Sequence, residues 1–347
     1  MARASRLRWS IGTACTLTAA LLAISGISAA PIGAAPSPSV ITTQTVQVGP
    51  LNLTGTLTLP AGEGQVPVVI LVAGSGPDNQ DETVGQDAPF LDLANGLAAD
   101  GIASIRYDKR TLDDPATIDV ATFTPKDEYV TDAVAAVRLA RQEARVDPNR
   151  IFILGHSQGG LMAPEIAKES GGVAGVILEA AEIQPLQDAL LRQITYLVDI
   201  GYLKGATART ELKEAKLAVR QVDNPALSLT DKSTWPTSPI LGGAGAAYFL
   251  YLRSYHPIKT ARHLKVPILL LQGLRDYQVT PATDYDVWRR GLKGVKRVTS
   301  RTDAADDHLM IPGNGIPSPT DYATPGHVDP SVIATISTWV KSINTGG

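Results

Sequence analysis

Cysteine is almost missing from this chain. The single one, Cys15, sits in an N-terminal stretch unlike the rest of the sequence. If that stretch is removed on export, the mature protein has no thiol, which excludes disulfides, thiolate metal sites and a cysteine nucleophile together. Charge of one sign is also lacking: 31 Lys and Arg face 34 Asp and Glu, for a net charge of −3. No basic block or stripe speaks for nucleic acid and no acidic tail for a solvated arm, so a nucleic-acid partner is not expected. Histidine is scarce, at five residues, which makes any search for a general base short.

What is present begins with a leader. Arg3, Arg6 and Arg8 precede "WSIGTACTLTAALLAISGISAA", an apolar stretch that ends in small residues. A positive start, an apolar middle and an Ala-rich exit read as a secretory signal peptide over 1–30. A "PIGAAPSPS" linker follows, within 31–42. An uncleaved anchor is the alternative, because the apolar stretch is nearly long enough to span a bilayer. Gly12-Thr13-Ala14 ahead of Cys15 match a lipoprotein cleavage site poorly, so lipidation is set aside. The expectation is an exported protein, secreted or held in the periplasm or cell envelope, with no stable membrane insertion once the signal is cut.

Beyond the linker, "TTQTVQVGPLNLTGTLTLP" alternates apolar and polar residues around a Gly-Pro turn and predicts an antiparallel pair. The pattern then changes to short apolar, β-branched runs at 66–74, 101–108, 149–155, 172–180 and 266–273, with a last strand at 294–300. Such runs suit parallel strands covered on both faces. Helical patterns alternate with them, which predicts a doubly wound, mostly parallel α/β sheet. Residues 182–256 break that rhythm. They read as a mainly helical cap inserted into a core formed by 43–181 and 257–347.

One turn stands out. "RIFILGHSQGG" places Ser157 between Gly155 and Gly159, after an apolar strand and before a helix. Gly-x-Ser-x-Gly alone is a weak signal; between a strand and a helix it is the pattern of a nucleophile elbow. The turn strains the serine backbone, the glycines avoid collision with neighbouring strand and helix, and Oγ is presented at the positive end of a helix dipole. Phosphate binding is disfavoured, because no Walker-type lysine or dinucleotide fingerprint accompanies the Gly-rich turns.

These motifs identify the chain as resembling the α/β-hydrolase superfamily, in its branch of secreted serine esterases related to dienelactone hydrolases, over about 66–343. A serine hydroxyl needs a base within hydrogen-bond reach, itself oriented by a third group. His156 lies inside the elbow and is read as a packing or supporting residue; His256 and His263 flank the end of the insertion and read as surface or capping residues. His308, in "DAADDHLMIPG", follows the last strand and resembles the family's segment holding the catalytic histidine. His327, before the final helix, reads as a helix-start residue. The superfamily's chain order puts the acid between serine and histidine, and Asp276 in "LLLQGLRDYQVTP" directly follows a buried strand. Asp284 and Asp286 read as the solvated face of the next helix.

For the oxyanion, the N–H of Gln158 and one from "AGSGPDNQDE" are expected. The resemblance favours Ser75 as the second donor, with Gly76 as runner-up. The family's "Tyr-Asp-x-Arg-Gly-x-Gly" is only half kept: "RYDKRTLDDPAT" holds Tyr107, Asp108 and Arg110 but lacks the glycines, so the entrance loop is reshaped. The expected activity is hydrolysis of a small-molecule carboxylic ester through an acyl-enzyme, with no cofactor and no metal. An acyltransferase, a thioesterase or a peptidase could use the same triad, whereas a non-catalytic binding module should lack part of it. Oligomeric state is left open.

Overall fold

The computed structural model describes residues 41–343; the signal peptide and nearly all of the linker expected from the sequence lie outside the described residues. Eight strands form one sheet: β1 (Thr42–Val48), β2 (Leu53–Leu59), β3 (Val66–Val72), β4 (Ala103–Tyr107), β5 (Val146–His156), β6 (Gly175–Glu179), β7 (Ile268–Gly273) and β8 (Val298–Asp303). Their spatial order is β1-β2-β4-β3-β5-β6-β7-β8. β1 and β2 form the expected antiparallel hairpin, and β2 also runs antiparallel to β4. From β4 to β8 every pairing is parallel.

Period-two geometry explains the unbroken apolar runs. Val68 and Ile70, Ile151 and Ile153, Val176 and Leu178, Ile268 and Leu270 all join the core on one face. Val69 and Leu71, Phe152 and Leu154, Ile177, Leu269 and Leu271 join the core on the other. Both faces are therefore covered and neither alternate set can be polar. The helices α1 (Pro89–Ala99) and α10 (Pro330–Ser342) pack on the second face. α3 (Asp132–Gln142) and α4 (Ser157–Ser170) cover the first. A short helix, α2 (Arg110–Asp113), follows β4.

Between β6 and β7 the chain is helical: α5 (Leu186–Asp199), α6 (Gly205–Val222), α7 (Ala246–Ser254) and α8 (Pro257–His263); α9 (Asp286–Gly291) follows β7. α6 and α7, the start of α5 and the turns between them share a small apolar cluster, built on Leu186, Ala218, Val222, Leu241, Tyr248 and Phe249, with Phe123 from below packed against it. The last strand differs from expectation, starting at Val298 rather than at 294. As an edge strand with one face open it reads Val-Thr-Ser-Arg-Thr-Asp, so apolar content pointed to the wrong register. Among the described residues, no helix is long and apolar enough to cross a membrane.

Candidate active site

Because β3 to β8 are mutually parallel, their carboxyl ends share one edge of the sheet, and the loops leaving them meet there. Ser157 follows β5 directly, with φ at 53°. This left-handed conformation costs a non-glycine residue of the order of 1–3 kcal/mol. Four of the five non-glycine residues with positive φ among the described residues lie around this edge: Glu82, Ser157, Ala180 and Met310. Strain is concentrated where the loops converge.

The glycines behave as the elbow requires. A Cβ on Gly155 would lie 2.3 Å from the Gly159 carbonyl oxygen, and one on Gly159 would lie 2.4 Å from the Val72 carbonyl oxygen. Gly160 is equally tight, with its Cβ position 2.6 Å from that of Ala181. Helix α4 can therefore start against β3 and the end of β6 only if these positions carry no side chain.

Asp276 and His308 are brought together. His308 Nδ1 donates to Asp276 Oδ2 at 2.8 Å, and both side chains are buried. The acid is itself fixed: Oδ1 accepts from the Gln278 and Val279 N–H groups at 2.8 and 2.9 Å, and Oδ2 also accepts from Gln272 Nε2 at 3.1 Å. With Nδ1 protonated toward the carboxylate, Nε2 is left as the basic nitrogen. Asp307 anchors the histidine loop by accepting from the Leu309 and Ile311 N–H groups. Among the described residues no hydrogen bond joins Ser157 to His308. His156, which directly precedes the serine, has its ring centroid 4.5 Å from that of His308.

His156 supports the edge in a way the sequence only hinted at. Its Nδ1 lies 2.8 Å from Glu82 Oε1 and its Nε2 lies 2.8 Å from the His308 carbonyl oxygen. Both ring nitrogens face acceptors, so the imidazole is held doubly protonated. Burial opposes that charge, but the Glu82 carboxylate, with Glu179 and the His308 carbonyl behind it, raises the pKa to about 10. The same Glu82 oxygen accepts from the Gly74 N–H at 2.6 Å. One ion pair thus ties the elbow, the histidine loop and the glycine loop after β3.

The other end of the Gly74 residue is held as well. Its carbonyl accepts from Lys109 Nζ at 2.6 Å, and the Tyr129 hydroxyl lies 3.1 Å away. That carbonyl and the Ser75 N–H belong to one planar peptide unit and point in opposite directions. Pinning the oxygen into the interior turns the Ser75 N–H outward, at an exposed position. Gln158 occupies the first turn of α4, where an N–H has no carbonyl within its own helix. Its side chain is buried, with Oε1 2.8 Å from the Tyr129 hydroxyl and 3.4 Å from that of Tyr248 on α7. Tyr248 also donates to Glu128 Oε2 at 2.8 Å, and Glu128 Oε1 is 2.7 Å from Lys109 Nζ.

Lys109, Glu128 and Glu82 were not singled out in the sequence. Lys109 occupies the variable position of the "Tyr-Asp-x-Arg" segment, and Arg110 beside it clasps Asp132 through two bonds of 2.6 and 2.7 Å. One expectation is overturned. Asp284 is fully buried, not solvated: it accepts from the N–H groups of Ile183 and Thr280 at 3.0 and 3.1 Å and pairs with Arg192 at 3.3 Å. Its carboxylate folds inward because it is the meeting point of α5 and the loop after Asp276. His256 and His263 are exposed, as expected, and His327 lies on the surface against Asp92 at 3.1 Å. The helix cap there is Asp329 instead, accepting from the Ser331 N–H.

A family model described as serine aminopeptidase, S33, matches residues 88–304. The chain belongs to this family. Its members share the α/β-hydrolase fold, and an eight-stranded, mostly parallel sheet with flanking helices is what this S33 chain has. A curated relative, esterase EstD of Thermotoga maritima, is 36% identical over 289 residues, covering 83% of this chain. The S33 chain spans 65% of that esterase's length. Among solved structures, an esterase of Pyrococcus furiosus superposes with a TM-score of 0.53 at 13% identity, covering 88% of this chain and 91% of that one. A 2,6-dihydroxy-pseudo-oxynicotine hydrolase does so with 0.53 at 15% identity, covering 88% and 68%. At such identities these two likenesses concern the fold alone.

Proposed function

We propose that the protein is an exported serine esterase acting on small carboxylic esters. The observation that carries this reading is the buried 2.8 Å bond from His308 to Asp276 at the sheet edge where Ser157 sits in a strained elbow. In this reading Asp276 keeps the His308 Nε2 free to act as base, and that nitrogen takes the Ser157 proton as Oγ attacks the acyl carbonyl. Negative charge develops on the carbonyl oxygen, to be met by the N–H groups of Ser75 and Gln158. His308 returns the proton to the leaving alcohol. Water, deprotonated by the same imidazole, then releases the acid from the acyl-enzyme. The carboxylate of Asp276 favours the imidazolium at each transfer while remaining ionised itself.

The relationship to an esterase over most of the chain supports ester rather than amide substrates; the S33 family's own description gives the peptidase alternative its place in the test. Arg-rich start, apolar run and small-residue exit support export. The helices between β6 and β7 are assigned the role of a cap over the alcohol or acyl side of the site. The experiment is labelling with a fluorophosphonate probe and mass mapping of the modified peptide, alongside turnover of p-nitrophenyl acetate and an aminoacyl p-nitroanilide. Labelling at Ser157, lost in Ser157→Ala, with turnover of the ester alone, is the expected result. Equal labelling of both proteins refutes the nucleophile, and preferential cleavage of the anilide refutes the ester assignment.

A further inference from the structure

Three carboxylates outside the proposed triad gather under the histidine loop. Asp303 ends β8, Asp306 follows three residues later, and Asp329 caps α10; each can offer an oxygen, and these oxygens all lie within 4.8 Å of one another. Asp306 is fully buried, and neither of its carboxylate oxygens has a hydrogen-bond partner among the described residues. This sets it apart from its buried neighbours. Asp276, Asp284 and Asp307 each accept several hydrogen bonds, as a buried carboxylate must to offset lost hydration. Asp303 is bonded to Arg301 at 2.8 Å, and Asp329 uses one oxygen to accept from the Ser331 N–H at 2.7 Å. One guanidinium thus serves three carboxylates and bonds only Asp303; of the two it does not reach, Asp306 is fully buried.

We propose that Asp303, Asp306 and Asp329 bind a structural divalent cation, best matched by Ca²⁺, which clamps the loop carrying His308. The donor set is oxygen only, which suits a hard cation. Ca²⁺ accepts irregular shells of six to eight oxygens at roughly 2.3–2.6 Å, whereas Mg²⁺ demands a near-ideal octahedron. Asp303 and Asp329 are half-buried, so water can complete the shell from the solvent side.

The residues to be joined are already wired to the site. The Asp303 and Asp306 carbonyls accept from the Leu274 and Arg275 N–H groups, both at 2.9 Å, just ahead of Asp276. The Asp329 N–H donates to the Met310 carbonyl, also at 2.9 Å, two residues after His308. A cation here would cross-link the acid loop, the base loop and the start of α10. It takes no part in bond breaking, so the proposal stands apart from the esterase reading and adds a structural ion where the sequence led us to expect no metal.

The test is calcium binding to the EDTA-treated full chain, by calorimetry and by thermal unfolding with and without CaCl₂. One site per chain is expected, with Tm raised by about 5 °C when calcium is about a hundredfold above its Kd. Asp306→Asn should lose both the heat and the shift. If that variant does not fold, Asp329→Ser serves instead, since serine keeps the helix cap while withdrawing the carboxylate. Absence of binding and shift in the wild type, or a shift that survives in Asp306→Asn, overturns the proposal. Asp306→Asn raising Tm in a protein indifferent to calcium overturns it too, and shows a protonated carboxyl in place of a ligand. A response to magnesium equal to or larger than that to calcium overturns the choice of ion.

Discussion

Lys109→Met separates holding the fold from aiming a hydrogen bond. In the wild type the ammonium is buried, 2.7 Å from Glu128 and 2.6 Å from the Gly74 carbonyl. Removing it leaves the Glu128 carboxylate buried with only the Tyr248 hydroxyl, and losing one partner of such a pair costs about 3–5 kcal/mol. At about 2–4 °C per kcal/mol for a domain of this size, Tm should fall by about 10 °C. The second consequence is kinetic. Loss of a whole oxyanion donor lowers kcat by about 10²–10³-fold. The Tyr129 hydroxyl still restrains the Gly74 carbonyl, so the Ser75 N–H, the donor in the proposed function, should be loosened rather than lost, and a fall of ~10–100-fold in kcat is expected, with KM little changed. The double variant Lys109→Met/Glu128→Gln removes the nearer of the two carboxylates left without their cation, Asp78 lying farther from the ammonium at 3.8 Å. It should recover most of the stability and none of the rate. The assays are thermal unfolding and p-nitrophenyl acetate turnover for all three proteins. A double variant that regains both, or a single variant with wild-type kcat, would show that Lys109 serves stability alone.

The remaining predictions address the other parts of the edge. His308→Ala should lower kcat for p-nitrophenyl acetate by at least ~10⁴-fold, while His327→Ala keeps most activity, since it lies on the surface with Asp92; the opposite ranking would reassign the base. Gly159→Ala, whose Cβ would press on the Val72 carbonyl, should cost about 3 kcal/mol by denaturant unfolding, and a cost below about 1 kcal/mol would contradict the described fit of α4 against β3. The His156 pair predicts a pH dependence. Its folded pKa of about 10 lies above the unfolded value near 6.5, so the stabilisation is complete below about pH 6.5 and is lost as pH rises toward 10. The stability difference between wild type and His156→Gln should therefore shrink over that interval; a difference constant with pH would mean the ring is neutral.

Much of this was legible in the sequence because the signals were local. Apolar runs such as "VPVVILV" and "RIFILG" mark doubly covered strands, and Gly155-His156-Ser157-Gln158-Gly159 marks the elbow, since each needs only its neighbours to be read. Val298–Asp303 was misplaced because an edge strand has little need of apolar side chains. Asp284 was misread for a different reason. Its pattern fits an exposed helical face, and its burial depends on Ile183, Thr280 and Arg192 arriving from both sides. Glu82 and Lys109 were silent because their role is to hold Gly74, and nothing in a loop's composition says which carbonyl a distant lysine will reach.

The fastening of α5 bears on how substrates of different size can enter. Arg192 and Gln193 both grip the Gln278 carbonyl, at 2.7 and 3.1 Å, Gln184 grips that of Thr283 at 2.7 Å, and Tyr196 stacks on Tyr277 with centroids 5.1 Å apart. A helix stitched in this way to the segment just after Asp276 cannot lift without dragging the carboxylate off the imidazole. If these helices cap the site as proposed, an opening hinged on that side would disturb the Asp276–His308 pair each time it occurred. On the proposed reading of these helices as a cap, room for a bulkier acyl chain is to be sought in the turns between 223 and 245 that join α6 to α7, away from Tyr248 and its bond to Glu128.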